Sequence, residues 1–128
     1  AVAYVCDGVR LEAWLSGAVT GGQINLQSKT GERLSGTVSV RSLVGELTLR
    51  GRTLRFSASP AGPPAGLYRA KNSKSTIGWI VLPDGDQVGI DNDGTPAPAP
   101  RLDPASGGAT LGGVQVTAHP VAGDESLS

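Results

Sequence analysis

Apolar and polar residues alternate along most of this chain, the two-residue period of strands that bury one face. The strongest pattern lies at 76–90, T-I-G-W-I-V-L-P-D-G-D-Q-V-G-I, an apolar run, a turn and a short return. Asp84-Gly85 suits the positive φ angles of a two-residue hairpin loop. That loop predicts Val81 opposite Val88 and Trp79 opposite Ile90. Ile77, Trp79, Val81, Val88 and Ile90 then share a core face. Gly78 and Gly89 flank Ile80 on the other face and leave a shallow dent.

The same reading extends along the chain. Residues 1–15 form a first hairpin around Asp7-Gly8. Val2, Tyr4 and Cys6 share its inner face with Val9, Leu11, Ala13 and Leu15. Cys6 is expected to be a buried, inert thiol. Ala3, Val5, Arg10, Glu12 and Trp14 face outward, which leaves Trp14 either covered by a loop or presented to a partner. In 23–28, Ile24 and Leu26 point inward, followed by Leu34, Gly36, Val38 and Val40. A two-residue loop would set Leu26 against Ser35. The three-residue loop Lys29-Thr30-Gly31, with Gly31 left-handed, restores Leu26 opposite Leu34. Gly45, Leu47 and Leu49 face Ala58, Phe56 and Leu54 across a Gly51-Arg52 turn, with Glu46 diagonal to Arg55.

Residues 59–66 read as a proline-rich loop, 66–70 as a brief strand carrying Tyr68, and 71–74 as a polar turn. The stretch 91–108 alternates proline with small residues and reads as an extended crossover. Strand character returns at 109–118, where Val114, Val116 and Ala118 share a face and Gly112-Gly113 marks a bulge or bend. No segment has a helical period. The expectation is one all-β domain over 1–121, an antiparallel meander closing into a small barrel, with a flexible tail at 122–128. A two-sheet sandwich is the alternative.

Composition narrows the function. Eleven basic and eleven acidic residues give no net charge, which argues against a nucleic-acid footprint. No run approaches the ~20 apolar residues of a membrane span. A single cysteine excludes an internal disulfide, and one cysteine with one histidine cannot close a His/Cys metal shell. Asp84, Asp86, Asp91 and Asp93 crowd two loops and are the only metal candidates. They lack calcium-loop spacing and read better as turn chemistry. His119 stands beside Pro120 near the end of the chain, no G-x-S-x-G elbow is present, and no cofactor motif occurs. Two Trp and two Tyr are few for a sugar-stacking platform, although Trp14, Tyr68 and Tyr4 are its candidates. Small inward residues leave room for an apolar ligand. Arg outnumbers Lys eight to three, Met is absent, and the chain opens Ala1-Val2-Ala3. These features are read as an exported, mature or cut product of a GC-rich bacterium.

The segments A-G-L-Y-R-A at 65–70, G-W-I-V-L-P-D-G at 78–85 and Q-V-G at 87–89 resemble exported actinobacterial β-domain proteins of unassigned function. The resemblance implies a cell-envelope setting and transfers no site residue. The expected function is therefore a non-enzymatic, extracytoplasmic accessory module that contacts another envelope or membrane protein. Its expected binding surface is Trp14, Val5, Arg10, Tyr68, Gly78 and Gly89. A carbohydrate- or small apolar ligand-binding module is the alternative.

Overall fold

A computed structural model describes residues 1–127, which form strands, turns and loops with no helix. In chain order the strands are β1 Val2–Cys6, β2 Glu12–Thr20, β3 Gln23–Gln27, β4 Arg33–Val38, β5 Leu43–Leu49, β6 Arg52–Ala58 and β7 Gly66–Lys71. They continue with β8 Thr76–Val81, β9 Gln87–Asn92, β10 Ala97–Pro98, β11 Gly108–Leu111, β12 Val114–Thr117 and β13 His119–Pro120. Three sheets result, ordered β1-β2-β3-β4-β5-β6, β10-β9-β8-β7-β13 and β11-β12. The residues gather into two compact units. One comprises 1–3, 13–60 and 122–127; the other comprises 4–12 and 61–121.

In the first unit the meander is an open half-barrel and not the closed barrel expected from the strand count. Closure needed the last strand to return to an early one. Instead β13 pairs with β7, His119 opposite Arg69 and Pro120 opposite Tyr68. The meander's local design follows the alternation closely. Ser28 N–H bonds Glu32 O, leaving Lys29-Thr30-Gly31 as the loop, with Gly31 at φ +97° and Leu26 opposite Leu34. Ile24 and Leu26 are buried, while Gln23, Asn25 and Gln27 are exposed. Val40, expected inward, is instead 94% exposed. Ser39 and Ser42 pair across a two-residue turn that lifts Val40 out of the strand.

The β5–β6 turn is Arg50-Gly51, one step earlier than expected, with both residues at positive φ (51° and 76°). A Gly-first turn leaves the second residue at negative φ, whereas the twist of this hairpin selects a turn with both angles positive. The register moves by two, so every residue keeps its face. Leu47 pairs with Leu54, Gly45 with Phe56, and Glu46 lies directly opposite Arg55. Arg55 and Glu46 form an ion pair at 3.5 Å, exposed and worth at most about 1 kcal/mol. Arg50 is the one non-glycine residue with positive φ among the described residues. Replacing it with Asn, which tolerates that conformation better, is expected to stabilise the protein by about 1 kcal/mol in urea unfolding.

Glycines let the meander curl. Gly36 lies directly opposite Gly45 on the apolar face. A Cβ on Gly45 would come 2.3 Å from Ser35 O, and one on Gly36 would come 2.5 Å from Val44 O. The backbones approach there as no other residue would allow.

In the second unit the core lies beneath β7 and β8. Tyr68, Ala70, Ile77, Trp79 and Val81 pack with Leu102, Ala109 and Ala118. The β8–β9 register differs by one from the expected one: Trp79 pairs with Gly89, Ile80 with Val88 and Gly78 with Ile90. Pro83 explains the shift. Its fixed φ suits the second position of a type I turn over Leu82-Pro83-Asp84-Gly85, and Gly85 follows at φ +91°. Leu82 N–H then bonds Asp86 O, which makes the loop three residues long. Val88 and Ile90 therefore face away from Trp79. Ile90 is nonetheless 0% exposed, so both faces of the hairpin are covered.

The crossover at 91–108 is not merely extended. Ala97 and Pro98 pair with β9, Trp79 Nε1–H donates to Pro100 O at 2.7 Å, and the Gln87 amide both donates to and accepts from the Leu102 backbone. Gly112-Gly113, at φ 56° and 79°, is the turn of a separate hairpin and no bulge. Val114 beside it is 64% exposed, whereas Val116 and Ala118 reach the core.

The first turn is also one residue longer than expected. Asp7 N–H bonds Leu11 O, and Asp7 Oδ1 accepts from the N–H groups of Val9, Arg10 and Leu11, each at 2.9 Å. One carboxylate thus holds the loop Gly8-Val9-Arg10 and leaves Val9, expected inward, 58% exposed. Those donors hold the Asp7 carboxyl at about 2, below the usual aspartate value. A group with a lowered folded pKa stabilises the fold above its unfolded pKa and loses that contribution as acid protonates it. Stability from this loop is therefore present above about pH 4 and falls toward pH 2. Asp7→Asn is expected to lower the melting temperature at pH 7 and to remove that part of the acid dependence. Amide shifts of Val9, Arg10 and Leu11, titrated against pH, should report the low midpoint directly.

Candidate interaction surface

The first unit's sheet has two unlike faces. Register places Val19, Ile24, Leu26, Leu34, Gly36, Val38, Leu43, Gly45, Leu47, Leu49, Leu54, Phe56 and Ala58 together on one of them. The other carries Ser16, Asn25, Gln27, Arg33, Ser35, Glu46, Thr48, Thr53, Arg55 and Ser57, with Val44 as its one large apolar exception among β3–β6. Burial on the apolar face is uneven. Leu15, Leu26, Ile24 and Leu34 are buried, Leu47 and Phe56 are partly covered, and Val19 and Leu54 are about half exposed (49% and 48%). The exposed large side chains on this face fall at Val19 in β2, at Val38 in β4 and at Leu54 in β6, and among the described residues β6 has β5 as its only neighbour.

The edges of the sheets differ in a way that bears on association. An unpaired edge invites another strand, and short length or proline blunts that invitation. In the second unit β10 and β13 are two residues each and both contain proline. β6 has seven residues, no proline and mostly exposed positions.

The residues singled out from the sequence scatter. Arg10 is exposed, and Val5 and Trp14 are partly buried. Trp14 lies two residues before Ser16 and so on the polar face, with its indole nitrogen out of solvent contact. Tyr68 is 6% exposed, its hydroxyl donating to Pro64 O, so it offers no stacking platform. Gly78 and Gly89 are buried and point to opposite faces, because the shifted register separates them; the dent is absent. None of the five aromatic side chains is exposed.

The four aspartates serve turns and a strand. Asp84 Oδ1 accepts from Asp86 N–H, Asp93 Oδ1 accepts from Thr95 N–H, and Asp91 lies in β9 with Oδ1 buried and accepting no hydrogen bond. Among the described residues no three His, Cys, Asp or Glu side chains gather as a metal site.

Tyr4 and Cys6 both have their protonated forms favoured. Tyr4 O–H donates to Glu12 Oε1 at 2.7 Å, and Asn92 Nδ2 donates to Glu12 Oε2 at 2.9 Å. Burial, then the Glu12 carboxylate, pushes the Tyr4 phenol far above its ordinary value, so it stays protonated. Cys6 is partly rather than fully buried, and burial raises its thiol as well, which disfavours the nucleophilic thiolate. His119 is exposed on β13.

Clefts among the described residues include one of about 300 Å³ among Gly8, Gln87, Val88, Pro98, Pro100 and Arg101, and one of about 580 Å³ among Arg101, Asp103, Pro104, Ser106, Thr110 and Gln115. Another, of about 440 Å³, sits on the polar face of the meander between Ser16, Asn25, Gln27, Arg33, Ser35 and Thr48. No described helix is long and apolar enough to cross a membrane. No protein-family model, curated protein or solved structure matches the chain.

Proposed function

We propose that this chain is a non-enzymatic, extracytoplasmic β-module that binds another protein of the cell envelope through the open side of its meander. The observation that carries the reading is the half-exposed apolar face beside a long strand, β6, whose outer edge has no partner among the described residues, Leu54 being 48% exposed and Phe56 only partly covered. Apolar surface continuous with a free edge suits a protein partner, which supplies both side chains and backbone groups. The export reading rests on composition and on the resemblance to exported actinobacterial β-domains. Native mass spectrometry of the protein gently extracted from its own cells tests the proposal. A heteromeric mass is expected, and Leu54→Asp should abolish it while leaving the isolated fold intact. A strictly monomeric species would overturn the reading.

The polar-face cleft supports a second reading, a module for a small hydroxyl-rich ligand. Its amide, hydroxyl and guanidinium groups can pair with sugar hydroxyls, although no aromatic ring lines it. Glycan arrays, and a search for a co-extracted small mass on the monomer, separate the two.

A further inference from the structure

Resting on the protein-binding reading, we infer that the partner adds an extended strand to β6, and that this strand alternates apolar with acidic residues. The hydrogen-bond phase of the hairpin sets out the receiving groups. Residues along an antiparallel pair alternate between those bonded to the partner strand and those whose N–H and C=O point away. Leu49 and Arg52 close the two-residue turn, so Arg52, Leu54, Phe56 and Ala58 bond toward β5. Thr53, Arg55 and Ser57 turn their backbone groups to the open side, where the sheet has no further strand among the described residues.

Side chains specify what arrives. On one face an added strand meets Leu54, Phe56 and Ala58, which favour apolar partners, with Arg52 beside the turn. On the other it meets Thr53, Arg55 and Ser57. The surrounding chain is basic although the whole protein is neutral: residues 29–58 carry Lys29, Arg33, Arg41, Arg50, Arg52 and Arg55 against Glu32 and Glu46. All six cations are exposed; among the described residues Arg55 forms an ion pair with Glu46 and Arg50 interacts electrostatically with Glu32, which leaves the segment with an excess of four positive charges. A segment with acidic residues on alternate positions complements that field.

A second copy of the same strand fits less well. The antiparallel register that uses all three free residues on both copies sets Arg55 directly opposite Arg55, and like charges facing each other across strands are unfavourable. The basic meander also repels its own copy.

The test uses the full chain and two synthetic peptides of nine residues, one alternating valine with glutamate and one alternating valine with lysine. Binding is followed by amide shifts and hydrogen exchange. The acidic peptide is expected to bind at least tenfold more tightly, and to protect the Thr53, Arg55 and Ser57 amides. Ser57→Pro removes an outward N–H without breaking the β5 ladder and should weaken binding at least tenfold. Arg55→Glu should reverse the peptide preference. Circular dichroism and the β5 amide shifts confirm that both variants fold.

Equal binding by Ser57→Pro would overturn strand addition, as would failure of both peptides to bind. A heteromer detected by native mass spectrometry would survive either result, since the apolar face can bind a partner without the edge. A concentration-dependent homodimer abolished by Ser57→Pro would overturn the acidic partner in favour of self-pairing.

Discussion

Trp79→Ala is expected to destabilise the protein by about 3–5 kcal/mol, the usual cost of emptying a large buried aromatic site. Trp79 is 1% exposed and among the largest fully buried side chains. It also ties two segments far apart in sequence, because its indole N–H reaches Pro100 O. Removing the ring leaves a cavity beside Leu102 and an unpaired carbonyl in the crossover. Trp79→Phe keeps most of the packing and loses the bond, so it should cost less, about 1–3 kcal/mol for the orphaned acceptor. Urea unfolding of the three proteins measures both steps. A loss below about 1 kcal/mol for the alanine variant would contradict the placing of Trp79 at the centre of this core.

Gly45→Ala should be nearly as damaging, at about 3 kcal/mol, although it adds one methyl group to a surface sheet. The new Cβ has no free direction: Ser35 O lies 2.3 Å away and Gly36 Cα 3.0 Å away, both backbone atoms of the neighbouring strand. Relief requires the strands to part at the place where the half-barrel bends. Gly62→Ala is the control, since a Cβ there meets nothing within 4 Å. It should be neutral, or slightly stabilising through the unfolded chain. Equal melting temperatures for the two variants would contradict the close-approach account.

Much of the local structure was legible in the residues. Alternation at 23–27 and the misfit of Leu26 with Ser35 selected a three-residue loop, and the structure has it. The faces of β5 and β6 were right even though the turn was misplaced, because a shift of two preserves the side on which each residue lies. Where the error was one residue, as at Pro83, faces changed and the glycine dent vanished with them. There the fixed φ of proline outweighed the Asp-Gly signal. Closure of the meander was not readable, since it depends on which distant strand fills the edge. The pinning of the crossover by Gln87 and Trp79 was likewise nonlocal, as was the burial of Leu102, which no periodic pattern marked.

The candidate surface was legible only in part. The pattern put Leu54 and Phe56 on the inner face, but their exposure depends on what packs over them, and sequence periodicity carries no such information. Trp14 and Tyr68 drew attention as large aromatics, yet neither is exposed. The basic bias of 29–58 was hidden by an overall charge of zero.

The most direct test of the central claim is hydrogen–deuterium exchange along β6, first in the isolated protein and then in the assembly extracted from cells. The account predicts fast exchange at Thr53, Arg55 and Ser57 in the isolated chain, slowed at least tenfold in the assembly, with little change around the Arg101 clefts. Slow exchange of those three amides in the isolated monomer would contradict it, and so would protection confined to 98–115.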